Sequence, residues 1–189
     1  MRSASPFLNR MTTNLSSLEF PADAEALPWL AGLWVGVWLL RPFVAFIHEL
    51  GHALPALVFT KAEVEVRIGD SFAKPLTVFG RLGFAWSFRS SFTGFTGYQR
   101  GTLGQMTLSV VILGGPIASG LACGLGVLGT LSATDPIWWR ISAAAFLCAN
   151  GIVFLRSAIP VTLRPTAQFP DGPPSDGLDL WKTLRGTND

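Results

Sequence analysis

Charged residues are scarce in this chain. Only 14% of its 189 residues are Asp, Glu, Lys or Arg, whereas an average soluble protein carries about 25%. The hydrophobic fraction is 49% and the mean hydropathy is +0.42. This composition excludes an ordinary soluble globule and predicts an integral membrane protein, with a length that suits one domain.

Three further absences narrow the class of protein. The net charge is only +2 and no basic aromatic patch occurs, so we expect no nucleic-acid partner. Residues 1–21 are polar and lack an apolar core, so we expect no cleavable signal peptide. The two cysteines, Cys123 and Cys148, lie in apolar segments without a C-x-x-C pattern. We interpret them as small buried hydrophobes rather than a disulfide or a metal site.

Three apolar stretches are long enough to cross a bilayer, which takes roughly 20 residues per helix. They cover about 27–59, 106–131 and 137–159. The first is longer than one span needs and contains Arg41-Pro42, so we expect a tilt or a kink there. The predicted organisation is a polar tail over 1–26, one membrane core over 27–184 and a short tail over 185–189.

The segment between the first two stretches, residues 60–104, has a different period. Apolar and polar residues alternate over 64–68 and 82–88, which predicts β-strands with one apolar face. We therefore expect a mainly α-helical membrane protein with a β-hairpin or small sheet between its first and second helices. The aromatic face of the second strand, which ends at Phe88, is expected to pack on the helices. The alternatives are contact with the membrane surface and an edge for an extended peptide.

Basic residues indicate the orientation in the membrane. They are concentrated in the segment between the first two spans: Lys61, Arg67, Lys74, Arg81, Arg89 and Arg100. The next connection has none before Arg140. The positive-inside rule therefore predicts that this segment and the C-terminal tail are cytoplasmic and that the N-terminus is outside. The tail is proline-rich and then offers a short amphipathic surface helix around Trp181.

The chemistry of the chain is concentrated in one motif of the first span, His48-Glu49-Leu50-Gly51-His52. This is an H-E-x-x-H pattern, and its two histidines are the only ones in the protein. Residues four apart lie on one face of a helix, so both imidazoles can reach one metal ion. Glu49 is then placed to act on water beside that ion. We predict one zinc ion per chain, with His48 and His52 as ligands and Glu49 as the catalytic carboxylate.

A catalytic zinc usually takes a third protein ligand. No third histidine exists, and the only glutamates after His52 lie in the predicted strand segment, so an aspartate is required. Asp135 falls on the wrong side of the membrane, and Asp70 is a weak candidate in a turn. The tail returns to the cytoplasmic side and carries the remaining candidates: Asp171, Asp176, Asp179 and Asp189.

Three motifs in the order and spacing seen here resemble the site-2 protease family of intramembrane zinc proteases. They are the H-E-x-x-H of His48 to His52, Gly114-Gly115-Pro116 and Ser175-Asp176-Gly177, and the resemblance covers about 43–184. It implies that Asp176 is the third zinc ligand, on a loop and surface helix over 160–184, with Asp171-Gly172 as the competing D-G pair. It also implies a β-hairpin after the first core helix, and we expect the bacterial cytoplasmic membrane as the location.

The sequence departs from the family pattern in three places. One is that no further span follows Asp176, so we expect it on a loop or surface helix rather than inside a transmembrane helix. Where many members have an asparagine three residues before the proline that ends the third helix, this chain has Ser157. The nearest asparagine is Asn150, which can stabilise the transition state or hold substrate. A hydrogen bond between helices is the interpretation we favour for it. There is also no PDZ-like insertion that could screen substrates.

The resulting hypothesis is a zinc-dependent intramembrane endopeptidase that cleaves transmembrane or membrane-adjacent peptides. Its partners would be a membrane-protein or peptide substrate and the lipid bilayer. A non-proteolytic membrane adaptor that keeps a structural zinc site is the main alternative, and a soluble secreted zinc protease is a third. The sequence does not specify the oligomeric state.

Overall fold

The computed structural model describes residues 26–69, 75–87, 94–132, 136–165 and 169–186, apart from the side chain of Phe79. Helices dominate: α1 (Ala26–Phe59), α2 (Gln105–Ser132), α3 (Ile137–Ala158) and the short α4 (Asp176–Arg185). The first three are long and apolar enough to cross a membrane, which indicates an integral membrane protein. Between α1 and α2 lie the strands β1 (Val64–Ile68), β2 (Leu76–Phe79), β3 (Leu82–Trp86) and β4 (Gly94–Gly97). The predicted fold class is confirmed.

Helix α1 is a single helix of 34 residues that continues through both Pro42 and Pro55. At 1.5 Å per residue it is about 50 Å long, well beyond the roughly 30 Å of a bilayer core. Large apolar side chains on the outside of the three long helices are exposed, as expected for surfaces that face lipid. Both cysteines are free, and Cys148 is exposed on α3, so the expectation that it is buried is wrong.

The backbones of α1 and α2 touch at Gly51 and Gly114. A Cβ atom on Gly51 would lie 2.3 Å from the carbonyl oxygen of Gly114, and one on Gly114 would lie 2.0 Å from that of Gly51. Two glycines are therefore required at this crossing, because any side chain would push the helices apart. The contact lies beside His52, so the same crossing brings the H-E-x-x-H motif against α2.

The strands form a mixed sheet rather than a simple hairpin, in the order β2-β3-β1-β4. β1 pairs in parallel with β3 and antiparallel with β4, and β2 and β3 form an antiparallel hairpin. The turn of that hairpin contains Gly80 at φ +55°, a conformation that favours glycine. β2 and β4 are consequently the two edge strands.

The apolar face of the sheet packs on α1, in agreement with the prediction. Val64, Val66 and Ile68 of β1 are fully buried there. The ring of Phe84 lies 5.3 Å from that of Phe46, and the ring of Trp86 lies 5.7 Å from that of Phe43. Phe43 is about 24 Å along the helix from its end at Phe59, so the sheet runs along α1 for much of a membrane thickness. Phe88 lies outside the described residues.

The C-terminal end of α1 is held by the sheet. The guanidinium of Arg81 donates hydrogen bonds to the carbonyl oxygens of Leu57 and Thr60, and the first of these contacts is 3.0 Å long. A cation is favourable here because the last carbonyl groups of a helix are unpaired and carry partial negative charge. Arg81 thus links the C-terminal end of α1 to the turn between β2 and β3.

Candidate metal centre

The two histidines of α1 and Asp176 of α4 converge on one point. The Nε2 atoms of His48 and His52 are 3.3 Å apart. Oδ2 of Asp176 lies 3.0 Å from Nε2 of His48, and Oδ1 lies 3.4 Å from Nε2 of His52. Both histidines are only 8% exposed, and the three residues form the one group in the described part of the chain that could hold a metal ion.

These distances suit a small tetrahedral cation. Zinc lies about 2.0–2.1 Å from nitrogen and oxygen ligands, and tetrahedral angles then set neighbouring ligand atoms about 3.3 Å apart. The three separations of 3.0, 3.3 and 3.4 Å lie close to that value. The group supplies three protein ligands, which leaves one position of a tetrahedron for water or substrate.

Hydrogen bonds on the far side of each imidazole set which nitrogen faces the site. Nδ1 of His52 lies 2.8 Å from the carbonyl oxygen of Val111. A carbonyl can only accept, so Nδ1 of His52 carries a proton, and the neutral form of the ring presents a lone pair at Nε2. Nδ1 of His48 lies 2.9 Å from the hydroxyl of Ser119. If Nδ1 of His48 is protonated as well, acceptor atoms face one another across the site, an arrangement that a cation stabilises.

The Asp176 carboxylate is the third group of the candidate site. Burial alone raises the pKa of this carboxyl group, whereas a protonated imidazole beside it lowers that pKa. A cation bound between neutral imidazoles would favour the ionised carboxylate in the same way. Its Oδ2 is buried and accepts no hydrogen bond from any described residue, although Nε2 of His48 is 3.0 Å away. A buried carboxylate oxygen without a donor is costly, and a bound metal ion would remove that cost.

Asp176 is held in place by the residues on either side of it in the Ser-Asp-Gly motif. Ser175 is the N-cap of α4: its hydroxyl accepts from the backbone N–H of Leu178 and donates to the carbonyl oxygen of Ile159. Gly177 packs against the end of α3, where a Cβ atom would lie 2.2 Å from the carbonyl oxygen of Ala158. The first turn of α4 is thus fixed to α3, and Asp176 with it.

The competing Asp171-Gly172 pair forms a turn. Gly172 has φ +83°, and a Cβ atom there would lie 2.1 Å from the carbonyl oxygen of Leu163. Asp171 is exposed and does not belong to the converging group. This D-G pair therefore forms a backbone turn and is not part of the converging group. The weaker candidates Asp70 and Asp135 lie outside the described residues.

The Gly-Gly-Pro motif of α2 makes room for His52. A Cβ atom on Gly115 would lie 2.2 Å from Nε2 of His52, the atom that faces the site. No side chain fits between this ring and the α2 backbone. Gly114 serves the helix crossing and Gly115 serves the imidazole, so the two adjacent glycines have different roles.

Glu49 lies beside the converging group, against strand β4. It is 7% exposed, and its Oε2 accepts a 2.7 Å hydrogen bond from the hydroxyl of Thr96. The same hydroxyl lies 3.0 Å from the carbonyl oxygen of Glu49. A Cβ atom on Gly94 would lie 2.4 Å from Cγ of Glu49, so the β4 backbone is in contact with this side chain. Neither Gly94 nor Thr96 stands out in the sequence.

Asn150 is fully buried on α3, but it is not part of the converging group. Its Nδ2 donates to the carbonyl oxygen of Phe146 one turn earlier in the same helix. The favoured hydrogen bond between helices is thus replaced by one within α3. Its Oδ1 is buried and has no partner among the described residues. A contact of Asn150 with a transition state or substrate stays a prediction.

Comparison of the chain with protein-family models, with curated proteins and with solved structures gave no match in any of the three. The functional argument therefore depends on the geometry of this site and on the motifs that build it.

Proposed function

We propose that this protein is a zinc-dependent intramembrane endopeptidase. The observation that carries the proposal is a convergence of His48 and His52 with Asp176 of the short helix α4. The histidines and the neighbouring Glu49 belong to α1, which is long and apolar enough to cross a membrane. A structural zinc site is usually closed by four protein ligands, whereas a catalytic site keeps one position open. Three ligands are present here, and the Asp176 side chain is 23% exposed, so water can approach the site from that side.

The chain supplies the groups that peptide hydrolysis needs. Zinc, when bound, contributes Lewis acidity, which lowers the pKa of water and polarises a carbonyl group. Glu49 is placed to take the proton from the attacking water and to deliver it to the leaving amine. Its burial against Gly94 and its hydrogen bond from Thr96 keep the carboxylate in one orientation. Ordered groups of this kind act without reorganisation during the reaction.

Strand β4 supports an extended substrate. It is an edge strand of the sheet and it contacts Glu49, so a peptide paired to its free edge would pass close to the site. A helical substrate does not expose its peptide bonds, so the peptide must unwind locally. Transmembrane or membrane-adjacent peptides with weak helices are accordingly the substrate class that we propose.

The depth of the site is compatible with a supply of water. His48 lies eleven residues before Phe59, the end of α1, which corresponds to roughly 16 Å along the helix. Because α1 is longer than a bilayer core is thick, part of this distance can lie outside the hydrocarbon. With the basic segment 60–104 in the cytoplasm, the site would lie on the cytoplasmic side and the N-terminus would be outside. We propose this orientation in a bacterial cytoplasmic membrane.

Replacement of Glu49 by glutamine tests the chemistry. The amide keeps the shape of the side chain but cannot accept the proton, and general acid–base groups typically contribute about 10²–10⁴-fold to a rate. We expect Glu49→Gln to bind zinc like the wild type and to lose cleavage by that factor. The assay is mass spectrometry of a panel of single-span peptides reconstituted with the purified protein in liposomes.

The same experiment separates the protease from the adaptor. A non-proteolytic adaptor with a structural zinc would leave the whole peptide panel intact while binding zinc. Cleavage by Glu49→Gln at the wild-type rate would contradict the assignment of Glu49, and a zinc-loaded wild type that cuts no peptide would favour the adaptor.

A second prediction concerns the contact between Thr96 and Glu49. Thr96→Val removes the hydroxyl with little change in volume, and hydrogen bonds to charged groups contribute about 1.5–3 kcal/mol. We expect cleavage to fall at least about 10-fold, with unchanged zinc content, because Thr96 touches Glu49 and not the ligands. Thr96→Ser keeps the hydroxyl and serves as the matched control. Equal cleavage by the valine and serine variants would show that the hydroxyl has no role.

A further inference from the structure

Ser119 of α2 is placed at the back of the metal centre. It is fully buried, and its hydroxyl oxygen lies 2.9 Å from Nδ1 of His48, which is 71 residues away in the sequence. Another buried serine of the same helix, Ser109, donates to the carbonyl oxygen of Gln105 one turn earlier. A helical serine hydroxyl usually donates its hydrogen bond in this way, to a carbonyl oxygen of the preceding turn. Ser119 instead contacts a side chain of another helix.

The contact belongs to a stripe of α2 that matches the spacing of the two histidines. Val111, Gly115 and Ser119 are four residues apart and lie on one face of α2. Val111 and Gly115 meet His52, and Ser119 meets His48. The helices run in opposite directions here, since the higher number on α2 meets the lower number on α1. Each imidazole therefore has its own partner behind it.

The Val111 carbonyl and the Ser119 hydroxyl constrain the histidine tautomers differently. The carbonyl oxygen of Val111 can only accept, so it fixes the tautomer of His52. A hydroxyl can donate or accept, so the tautomer of His48 depends on whether Ser119 donates or accepts the hydrogen bond. For Nε2 of His48 to present a lone pair to the site, Nδ1 must carry the proton and Ser119 must accept it.

We propose that Ser119 is a positioning residue for the metal centre. Its hydroxyl accepts a hydrogen bond from Nδ1 of His48, holds the ring in place and keeps the Nε2 lone pair directed at the ion. The proposal depends on the metal-binding part of the proposed function and not on proteolysis. Outer partners of this kind typically change metal affinity by about 10–100-fold.

The test is zinc affinity, measured on the purified full-length protein in detergent by competition with a chromophoric chelator. Ser119→Ala removes only the hydroxyl and is expected to weaken zinc binding at least about 10-fold. Ser109→Ala removes a buried hydroxyl from the same helix and is the matched control, expected to stay within about twofold of wild type. Ser119→Thr keeps the hydroxyl and is expected to bind more tightly than Ser119→Ala.

A measurement on the wild type covers the case in which Ser119→Ala does not fold. The chain has only two histidines, so the ¹⁵N signals of their rings are readily distinguished. We expect a protonated Nδ1 and a zinc-bound Nε2 for both rings. A zinc-loaded protein in which Nδ1 of His48 lacks the proton would overturn the proposal.

The outcomes also separate this proposal from the protease. Zinc binding by Ser119→Ala equal to that of Ser109→Ala would overturn the role of Ser119 and leave the protease proposal intact. Equal weakening by Ser119→Ala and Ser119→Thr would assign the effect to packing and would likewise overturn it. A zinc-loaded wild type without cleavage would overturn the protease but leave Ser119 in its role. A wild type that binds no zinc would overturn both.

Discussion

Gly115→Ala is expected to abolish zinc binding, and cleavage with it. The new methyl group would lie 2.2 Å from Nε2 of His52, which is far inside contact distance and falls on the atom that faces the ion. The ring cannot simply turn away, because its Nδ1 is held by the carbonyl oxygen of Val111. Either His52 leaves the site or α1 and α2 separate, and they touch next to it at Gly51 and Gly114.

A matched control exists on the same helix. A Cβ atom on Gly124 meets no atom within 4 Å, so Gly124→Ala should leave zinc binding unchanged and gain the higher helix propensity of alanine. Zinc content after dialysis, measured by mass spectrometry of the metal, compares the two variants directly. If Gly115→Ala retained zinc as well as Gly124→Ala, the position of His52 against α2 would be wrong.

The pattern of the sequence was sufficient to predict the three long helices and the convergence of the two H-E-x-x-H histidines. Length and hydropathy predict three membrane helices, and residues four apart on a helix share a face whatever their surroundings. Counting the remaining histidines and glutamates limits the expected third ligand to an aspartate, and the resemblance carried by Ser175-Asp176-Gly177 implies Asp176. Here local chemistry and tertiary position agree, because each of the three motifs places residues in or directly against the same small site.

The sheet was predictable only in part. Alternation reveals β1 and β3 but not their parallel pairing, since the order of strands is set by the chain path around α1. β4 is the clearest omission. Its sequence, Gly94-Phe95-Thr96-Gly97, has no apolar alternation and is bounded by glycines, which ordinarily weaken a strand. The close contact with Glu49 requires glycine at position 94, and that requirement appears only once α1 and β4 are side by side.

The contact of Ser119 with His48 could likewise not be predicted from the sequence alone. A buried serine among glycines and alanines in a membrane helix indicates close helix packing, and this explanation accounts for most such residues. The hydrogen bond to His48 depends on the register between two helices, which sequence periodicity does not specify. The four-residue spacing of Val111, Gly115 and Ser119 is the available signal, because it repeats the spacing of the histidines.

Asp176→Ala is the second replacement expected to remove zinc, whereas Asp171→Ala should leave it bound. Asp176 supplies both close oxygen contacts to the imidazoles, at 3.0 and 3.4 Å. Losing a ligand should cost more than the roughly 10–100-fold that the loss of an outer partner costs. Asp171 is exposed and precedes the Gly172 turn, so its carboxylate has no part in the site.

The control must separate ligation from the stability of α4. Asp176 lies in the first turn of that helix, where a negative charge is favourable, so its loss could also loosen the helix. Asp179 shares that turn but forms a 2.8 Å ion pair with Arg100 and does not belong to the converging group. Asp179→Ala should therefore loosen α4 at least as much and yet retain zinc.

Loss of zinc in Asp171→Ala alone would move the third ligand to the other D-G pair. Equal loss in Asp176→Ala and Asp179→Ala would reduce the role of Asp176 to holding the helix.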